Sequence, residues 1–170
     1  MNQQAHSAGS DAGIIYTLEV LRNGQVIDSE VVHNLMPEEG RNHGVSVMLK
    51  GATQSAIWYI GLFEGNYVPV DTDKAATFPT VATECTAYAP ATRVGFNSGN
   101  VIAGTTDNTA NRAEFTFTSA KTVYGAFLSS AQAKGAVTGV LLSAARFVQP
   151  KAMQIDDVLR VTASFSLQSA

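Results

Sequence analysis

The segment DVLRVTASFSLQ, residues 157–168, alternates without a break. Leu159, Val161, Ala163, Phe165 and Leu167 fall on one phase, and Arg160, Thr162, Ser164, Ser166 and Gln168 on the other. A two-residue period places successive side chains on opposite faces of a strand, so this segment reads as an antiparallel strand with one dry face and one wet face. RAEFTFTSA repeats the pattern, with Ala113, Phe115 and Phe117 against Glu114, Thr116 and Thr118. IIYTLEVLRNGQVIDSEVVHN is two β-rich runs split by Asn23-Gly24. That dipeptide is the strongest two-residue hairpin signal, because a type I′ turn needs positive φ at both positions. AIWYIGLFE, TRVGFNS, TVYGAFLSS and GVLLSAARFV add further strands, and NVIAGTTDNTAN a weak strand and turn. The expectation is an all-β fold, an antiparallel β-sandwich or jelly roll of about eight strands. No internal repeat is visible.

One short helix is expected within NLMPEEGRNHGVSVMLKGA. Pro37, Glu38 and Glu39 suit a first turn and Lys50-Gly51 an end. Leu35, Val45, Met48 and Leu49 offer an apolar stripe, and Gly40 and Gly44 offer close packing on a sheet. Residues 66–90 hold three of the five prolines and read as a long ordered loop. Residues 1–12 are small, polar and aperiodic, which predicts a flexible N-terminal arm ahead of a single β-sandwich domain at 13–170. The first residues lack the basic and apolar regions of a signal peptide, and no apolar run reaches the ~20 residues of a membrane helix.

The run from Ile57 to Phe63 breaks the alternation. Ile57, Trp58, Tyr59, Ile60, Leu62 and Phe63 leave no polar face, so this strand should be covered on both sides. The second cover could be the helix, the 66–90 loop or a partner subunit. Trp58 and Tyr59 point to opposite faces and cannot line one cleft. Trp58, at the centre of the run, is expected in the core.

Charge narrows function. Charged residues make up 15% of the chain, against about 25% in ordinary domains. Such a surface is tolerated where other subunits cover it. The formal net charge of −3 and the lack of a Lys/Arg cluster argue against nucleic acid as a direct partner. The single cysteine, Cys85, permits no disulfide within the chain and fits a reducing cytosol.

The polar residues suggest no catalytic, cofactor or metal site. His33, Glu38, Glu39 and His43 match no common metal spacing, although Glu39 and His43 could touch on a helix. Asp71, Asp73, Asp107, Asn108 and Asn111 read as turn residues, and DNTAN lacks the glycine and closing glutamate of a calcium loop. Asp156 and Asp157 are adjacent on the chain, so they face opposite sides and cannot act as an acid and base pair. Cys85 has Glu84 as its nearest charge, which opposes a thiolate. Nucleophile elbows, Walker loops and dinucleotide fingerprints are not found in the sequence. The expectation is a protein that is not an enzyme and needs no cofactor.

Three blocks carry a resemblance. They are HNLMPEEGRNHGVSVMLKG, then WYIGLFEGNYVPVDTD with ATECTAYAPATRVGF, then AEFTFTSAKTVYGAFLSS with KGAVTGVLLSAARF and DDVLRVTASFSL. Together they span roughly residues 33–168. The order is a Pro-Glu-Glu-Gly helix start, a Trp-Tyr-x-Gly-Leu strand and a Glu-x-x-x-Tyr…Arg segment. A Phe-x-Phe strand, a Tyr-Gly-x-Phe-Leu strand and an Asp-x-Leu-x-Val-Thr last strand complete it. This resembles the jelly-roll head decoration, or cement, proteins of tailed bacteriophages. The resemblance implies a virion protein made in the host cytoplasm. It would bind the outer capsid surface at junctions of the major capsid protein, as a dimer or other small symmetric oligomer. It transfers no contact residues. The competing expectations are a tail or neck component of the virion, or a carbohydrate-binding jelly roll that uses Tyr67, Asp71 and Asp73.

Overall fold

The computed structural model describes residues 11–168. Strands β1 (Asp11–Arg22) and β2 (Gln25–His33) form the hairpin, and Asn23 and Gly24 take φ of 52° and 75° as the turn demands. Helix α1 (Glu38–Leu49) follows, then β3 (Trp58–Phe63), the single-turn helix α2 (Phe78–Val81) and β4 (Glu84–Cys85). Next come β5 (Val94–Phe96), β6 (Thr105–Asp107), a 3₁₀ turn (Thr109–Asn111) and β7 (Ala113–Thr116). The long strands β8 (Lys121–Ser129), β9 (Leu141–Met153) and β10 (Val158–Gln168) complete the order.

The strands make two five-stranded antiparallel sheets. Sheet A runs β2-β1-β10-β6, with β7 also on β10, and sheet B runs β4-β3-β8-β9, with β5 also on β3. The two curled sheets pack as a sandwich, as the alternation predicts. The described chain has ten strands rather than about eight, and two helices rather than one. The excess is short. β4 contributes two paired residues, Cys85 to Leu62 and Glu84 to Phe63, too few to show a period. α2 lies inside the 66–90 segment expected to be loop, with Pro79 in its first turn, where a missing N–H costs nothing. β1 begins at Asp11, two residues inside the stretch expected to be a flexible arm, and pairs there with Gln168. The rest of that arm lies outside the described residues.

The sandwich interior takes one phase of each long strand. Ile14, Tyr16, Leu18 and Val20 of β1 meet Leu159, Val161 and Ala163 of β10, with Ala113, Phe115 and Phe117 beside them. Sheet B answers with Ile60, Leu62, Val123, Ala126, Leu128 and Phe147. Each such Val, Leu, Ile or Phe side chain, fully buried, contributes about 1.5–3 kcal/mol before entropy is counted. The Tyr16 hydroxyl spans the layers to the Ser143 hydroxyl at 2.5 Å. Burial pushes the Tyr16 pKa upward, so the phenol stays neutral.

One sandwich edge is closed by side chains. Lys151, buried on β9, pairs with Asp28 at 2.9 Å and Glu30 at 2.7 Å on β2. Glu30 also accepts from the Val148 amide, and Leu35 and Ala144 exchange backbone bonds of 2.9 and 3.0 Å.

Strand β3 is covered on both faces. Ile60 and Leu62 enter the interior, while Phe63 enters a second cluster with Ala75, Phe78, Ala82, Phe127, Leu141 and Ala144. The cover is the chain's own 67–82 segment. Phe78 meets Phe63 edge-on at 5.6 Å and Phe127 at 5.2 Å, and Tyr67 closes on Phe78 at 6.0 Å. Two cross-strand pairs, Gly61 with Phe127 and Phe63 with Gly125, lay each ring over a glycine. A Cβ at either glycine would overlap the facing ring. Trp58 is only half-buried. It sits at the start of β3, with the His43 ring edge-on at 5.6 Å.

Helix α1 has the expected ends, with Pro37 at its N-cap, Glu38 and Glu39 in its first turn and Lys50 at its C-cap. Gly40 does pack on a sheet, since a Cβ there would sit 2.5 Å from the Leu142 carbonyl. Gly44 has open space around it, and the proposed stripe of Val45, Met48 and Leu49 is exposed.

Candidate functional site

The polar residues singled out in the sequence are placed by the fold in separate structural roles. Glu39 does not meet His43. Its carboxylate accepts from the amides of Ala75 at 2.8 Å and Leu141 at 2.7 Å, pinning α1 to the 67–82 cover and to β9. Glu38 accepts from Asn42 at 3.3 Å, and His33 is exposed at the end of β2. Among the described residues, no group of three or more His, Cys, Asp or Glu converges on one point.

The turn residues behave as turn residues. Asp107 accepts from the Thr109 amide at 2.8 Å, and that bond holds its carboxyl below the usual range. Asn108 is buried and substitutes for a strand neighbour. It accepts from the Ala163 amide at 2.7 Å and donates to the Val161 carbonyl at 3.3 Å. Asn111 donates its amide to the Asn108 carbonyl at 2.9 Å. Asp156 takes the positive-φ position of the turn before β10. Asp157 receives two bonds from Arg22, at 2.9 and 2.7 Å, and one from the Gln154 amide at 2.7 Å.

The loop considered for sugar binding is occupied by its own chain. The Tyr67 hydroxyl donates to Asp73 at 2.7 Å, and burial plus that carboxylate push its pKa up to about 12. Asp73 also accepts from the Val70 amide, and Asp71 is paired with Arg41. An open cleft of about 440 Å³ lies between this loop and α1, lined by Asp71, Asp73 and Lys74 on one side and Glu38, Glu39 and Asn42 on the other. A second, of about 620 Å³, is lined by Glu64, Lys121, Tyr124 and Met153, with Glu64 and Lys121 paired at 3.0 Å. Cys85 is buried, and burial together with the nearby Glu64 pushes its thiol up to about 11. A thiol in that state is a poor nucleophile at neutral pH.

A buried clamp went unseen in the sequence. Arg93 and Glu84 form a two-pronged pair at 2.9 and 2.7 Å, with side chains 1% and 3% exposed. Arg93 also donates to the carbonyls of Ala131 and Ala136 and lies 5.0 Å above the Phe127 ring. Lys134 donates to the Thr86 and Tyr88 carbonyls and caps the Tyr88 ring at 3.7 Å. The Glu-x-x-x-Tyr…Arg segment is therefore structural. It ties the β8–β9 loop to β4.

The surface left bare is the outer face of sheet A. Its register sets Val31, Thr17 and Thr162 in one row and His33, Ile15, Ser164 and Asp107 in the next. Val31 is 59% exposed and Ile15 37%. Apart from Asp107, the charged side chains lie at one end. There Arg160 pairs with Glu114 at 2.9 Å and Glu19 at 3.3 Å, and Arg112 pairs with Glu19 at 3.3 Å. Between that end and Asp107 the face is hydroxyl and methyl, with His33 at its β2 side. Such a face has little attraction for small charged ligands. It suits contact with another neutral protein surface, where few charges need desolvation. The sequence shows the wet phase of β10 but not that its wet face stays uncovered.

A scan against protein-family models gives no match, and neither does a search of curated proteins.

Proposed function

We propose that this chain is a structural protein of a bacteriophage virion, a capsid decoration or cement protein. It binds the outer capsid surface and stabilises contacts between major capsid proteins. The observation that carries this reading is the bare, nearly neutral outer face of sheet A. The sequence resemblance supports it too, and so does the use of the chain's polar side chains in turns, clamps and pairs. The work is mechanical and requires no turnover, cofactor or metal. Each contact adds buried area across a joint of the shell. A second contact on the same shell is intramolecular and can raise avidity ~10²–10⁴-fold.

The test mixes purified protein with undecorated shells and with disassembled capsid subunits, at low and high salt. Much tighter binding to shells is expected, with modest salt dependence, because the proposed face is neutral. Val31→Glu and Thr162→Arg should weaken shell binding and leave the fold intact. Equal affinity for shells and subunits, or particles no weaker to heat without the protein, would remove the cement reading.

A further inference from the structure

Strand β2 puts two acids on its core-facing phase. Asp28, Glu30 and Val32 stand opposite Val20, Leu18 and Tyr16 of the interior. Lys151 on β9 is placed in the same way, opposite the buried Val123. The three charged residues meet where the edge strands of the two sheets come together. The Lys151 Nζ lies 2.9 Å from Asp28 Oδ2 and 2.7 Å from Glu30 Oε2. The Lys151 and Glu30 side chains are 3% and 12% exposed, and that of Asp28 is 48% exposed. Glu30 is held in place, because the amides of Val148 and Gln149 also donate to it. A buried ion pair adds little net stability over apolar side chains of the same size. This cluster has a further property: an amine, a carboxyl group and a second carboxylate in mutual reach are a nucleophile, an electrophile and a base.

We propose that Lys151 and Asp28 condense into an amide that staples β9 to β2, with Glu30 carrying the protons. Burial lowers the Lys151 pKa, but the bonds to Glu30 and Asp28 more than offset it, so the amine begins as an ammonium ion. Glu30 takes one proton from it and passes that proton to the Asp28 carboxylate. The free amine then attacks Cγ of the neutral Asp28 acid, forming the N–C bond. A second proton moves from Nζ through Glu30 to the departing hydroxyl, the Cγ–O bond breaks, and water is released. Ammonium and carboxylate become amide and water. Glu30 ends as it began, and nothing is oxidised or reduced.

Placement supplies the drive. Reacting groups held in contact reach effective concentrations of ~10⁵–10⁸ M when well oriented. The product removes two charges, one of them buried, together with the cost of keeping that charge from water. Asp28 is the half-exposed member of the three, so the released water has a way out. The amide adds a covalent tie to the sandwich edge that ion pairs and the Leu35–Ala144 bonds hold. This inference does not rest on the virion reading. A linked chain with no affinity for shells keeps the inference and removes that reading.

The experiment is peptide mapping by mass spectrometry on the full chain, digested with trypsin under denaturing conditions. Cleavage after Arg22, Arg41, Arg146 and Arg160 sets the fragments, and trypsin does not cut after an acylated Lys151. The expected product is a branched peptide, residues 23–41 joined to residues 147–160 and one water lighter than their sum. Fragmentation should place the bond between Asp28 and Lys151. Lys151→Arg and Asp28→Ala should give linear peptides only. Glu30→Gln cannot carry the protons, so it should fold by circular dichroism and form the link about 10²-fold more slowly or less. A wild type that maps entirely as linear 23–41, 147–151 and 152–160 overturns the proposal and leaves an ion pair only. A link to Lys151 that persists in Asp28→Ala, or that forms as fast in Glu30→Gln, overturns the roles assigned to those residues.

Discussion

Sheets A and B have the same number of strands and share one interior, but their outer faces differ. On sheet B the outer face carries Phe63, Phe127 and two glycines, and the chain returns through residues 67–82 to cover it with Phe78 and Tyr67. On sheet A the outer face carries threonine and serine with Ile15, Val31 and Asp107 and a small ion-pair band; Ile15 and Val31 are exposed there and Thr17, Thr162 and Ser164 half-buried. Composition explains the difference. Aromatic rings over glycines make a surface that gains by leaving water. A row of hydroxyls is already satisfied by water and gains little from an intramolecular lid. The uncovered face is therefore free for another molecule, and the covered one is committed to stability.

This contrast can be broken most severely at Phe78. Phe78→Ala removes the ring that touches both Phe63 and Phe127 and should cost about 3–5 kcal/mol in denaturant unfolding. A loss within the error of wild type would mean that the 67–82 cover is not part of the core. Gly125→Ala is the next test. Its new methyl would meet the Phe63 ring and the Ala145 carbonyl, which cannot both yield, so a loss of about 1–3 kcal/mol is expected. A smaller effect should appear in acid at the end of sheet A. Hydrogen bonds from Arg22, helped by the Gln154 amide and opposed by burial, hold the Asp157 carboxyl below its ordinary value of 3.8. A depressed folded pKa gives stability that is complete above the unfolded value. That stability is lost as pH falls from there through the folded value. Asp157→Asn should therefore be less stable at neutral pH and show a flatter acid limb. An unchanged acid limb would show that the pair contributes nothing. The smallest effect belongs to Thr162→Val, on the bare face, which should stay within about 0.5 kcal/mol. A large change there would show that the outer face of sheet A takes part in folding.

Much of the frame is legible in the sequence, because it depends on short periods. Ala113, Phe115 and Phe117 are buried on one phase as read, and Asn23-Gly24 is the hairpin turn. The two-sided cover of β3 is legible as a requirement, but its source is not. Phe78 sits in a proline-containing stretch with no period, and only tertiary contact shows that it covers Phe63. The spacing of Val45, Met48 and Leu49 identifies a helix face but not its direction. Inward packing was fixed by Gly40 against Leu142 and by Glu39 on two backbone amides. Those are steric and hydrogen-bonding choices that outweigh the stripe. The Glu84–Arg93 clamp lies within the Glu-x-x-x-Tyr…Arg segment, whose spacing does not show that the two pair, and Arg22–Asp157 joins opposite ends of the described chain. Pairing over such distances leaves no trace in composition.

The pairing of β1 with β10 along almost its whole length also bears on the order of events during synthesis. The β1–β2 hairpin is made before the other described strands and can form from local contacts. Its apolar face of Ile14, Tyr16, Leu18 and Val20 then waits for β10, which is made after all the other described strands. Non-local pairing of this kind slows folding and leaves a sticky edge exposed meanwhile. Emergence of β10, rather than of β1 or β2, becomes the moment at which sheet A can close.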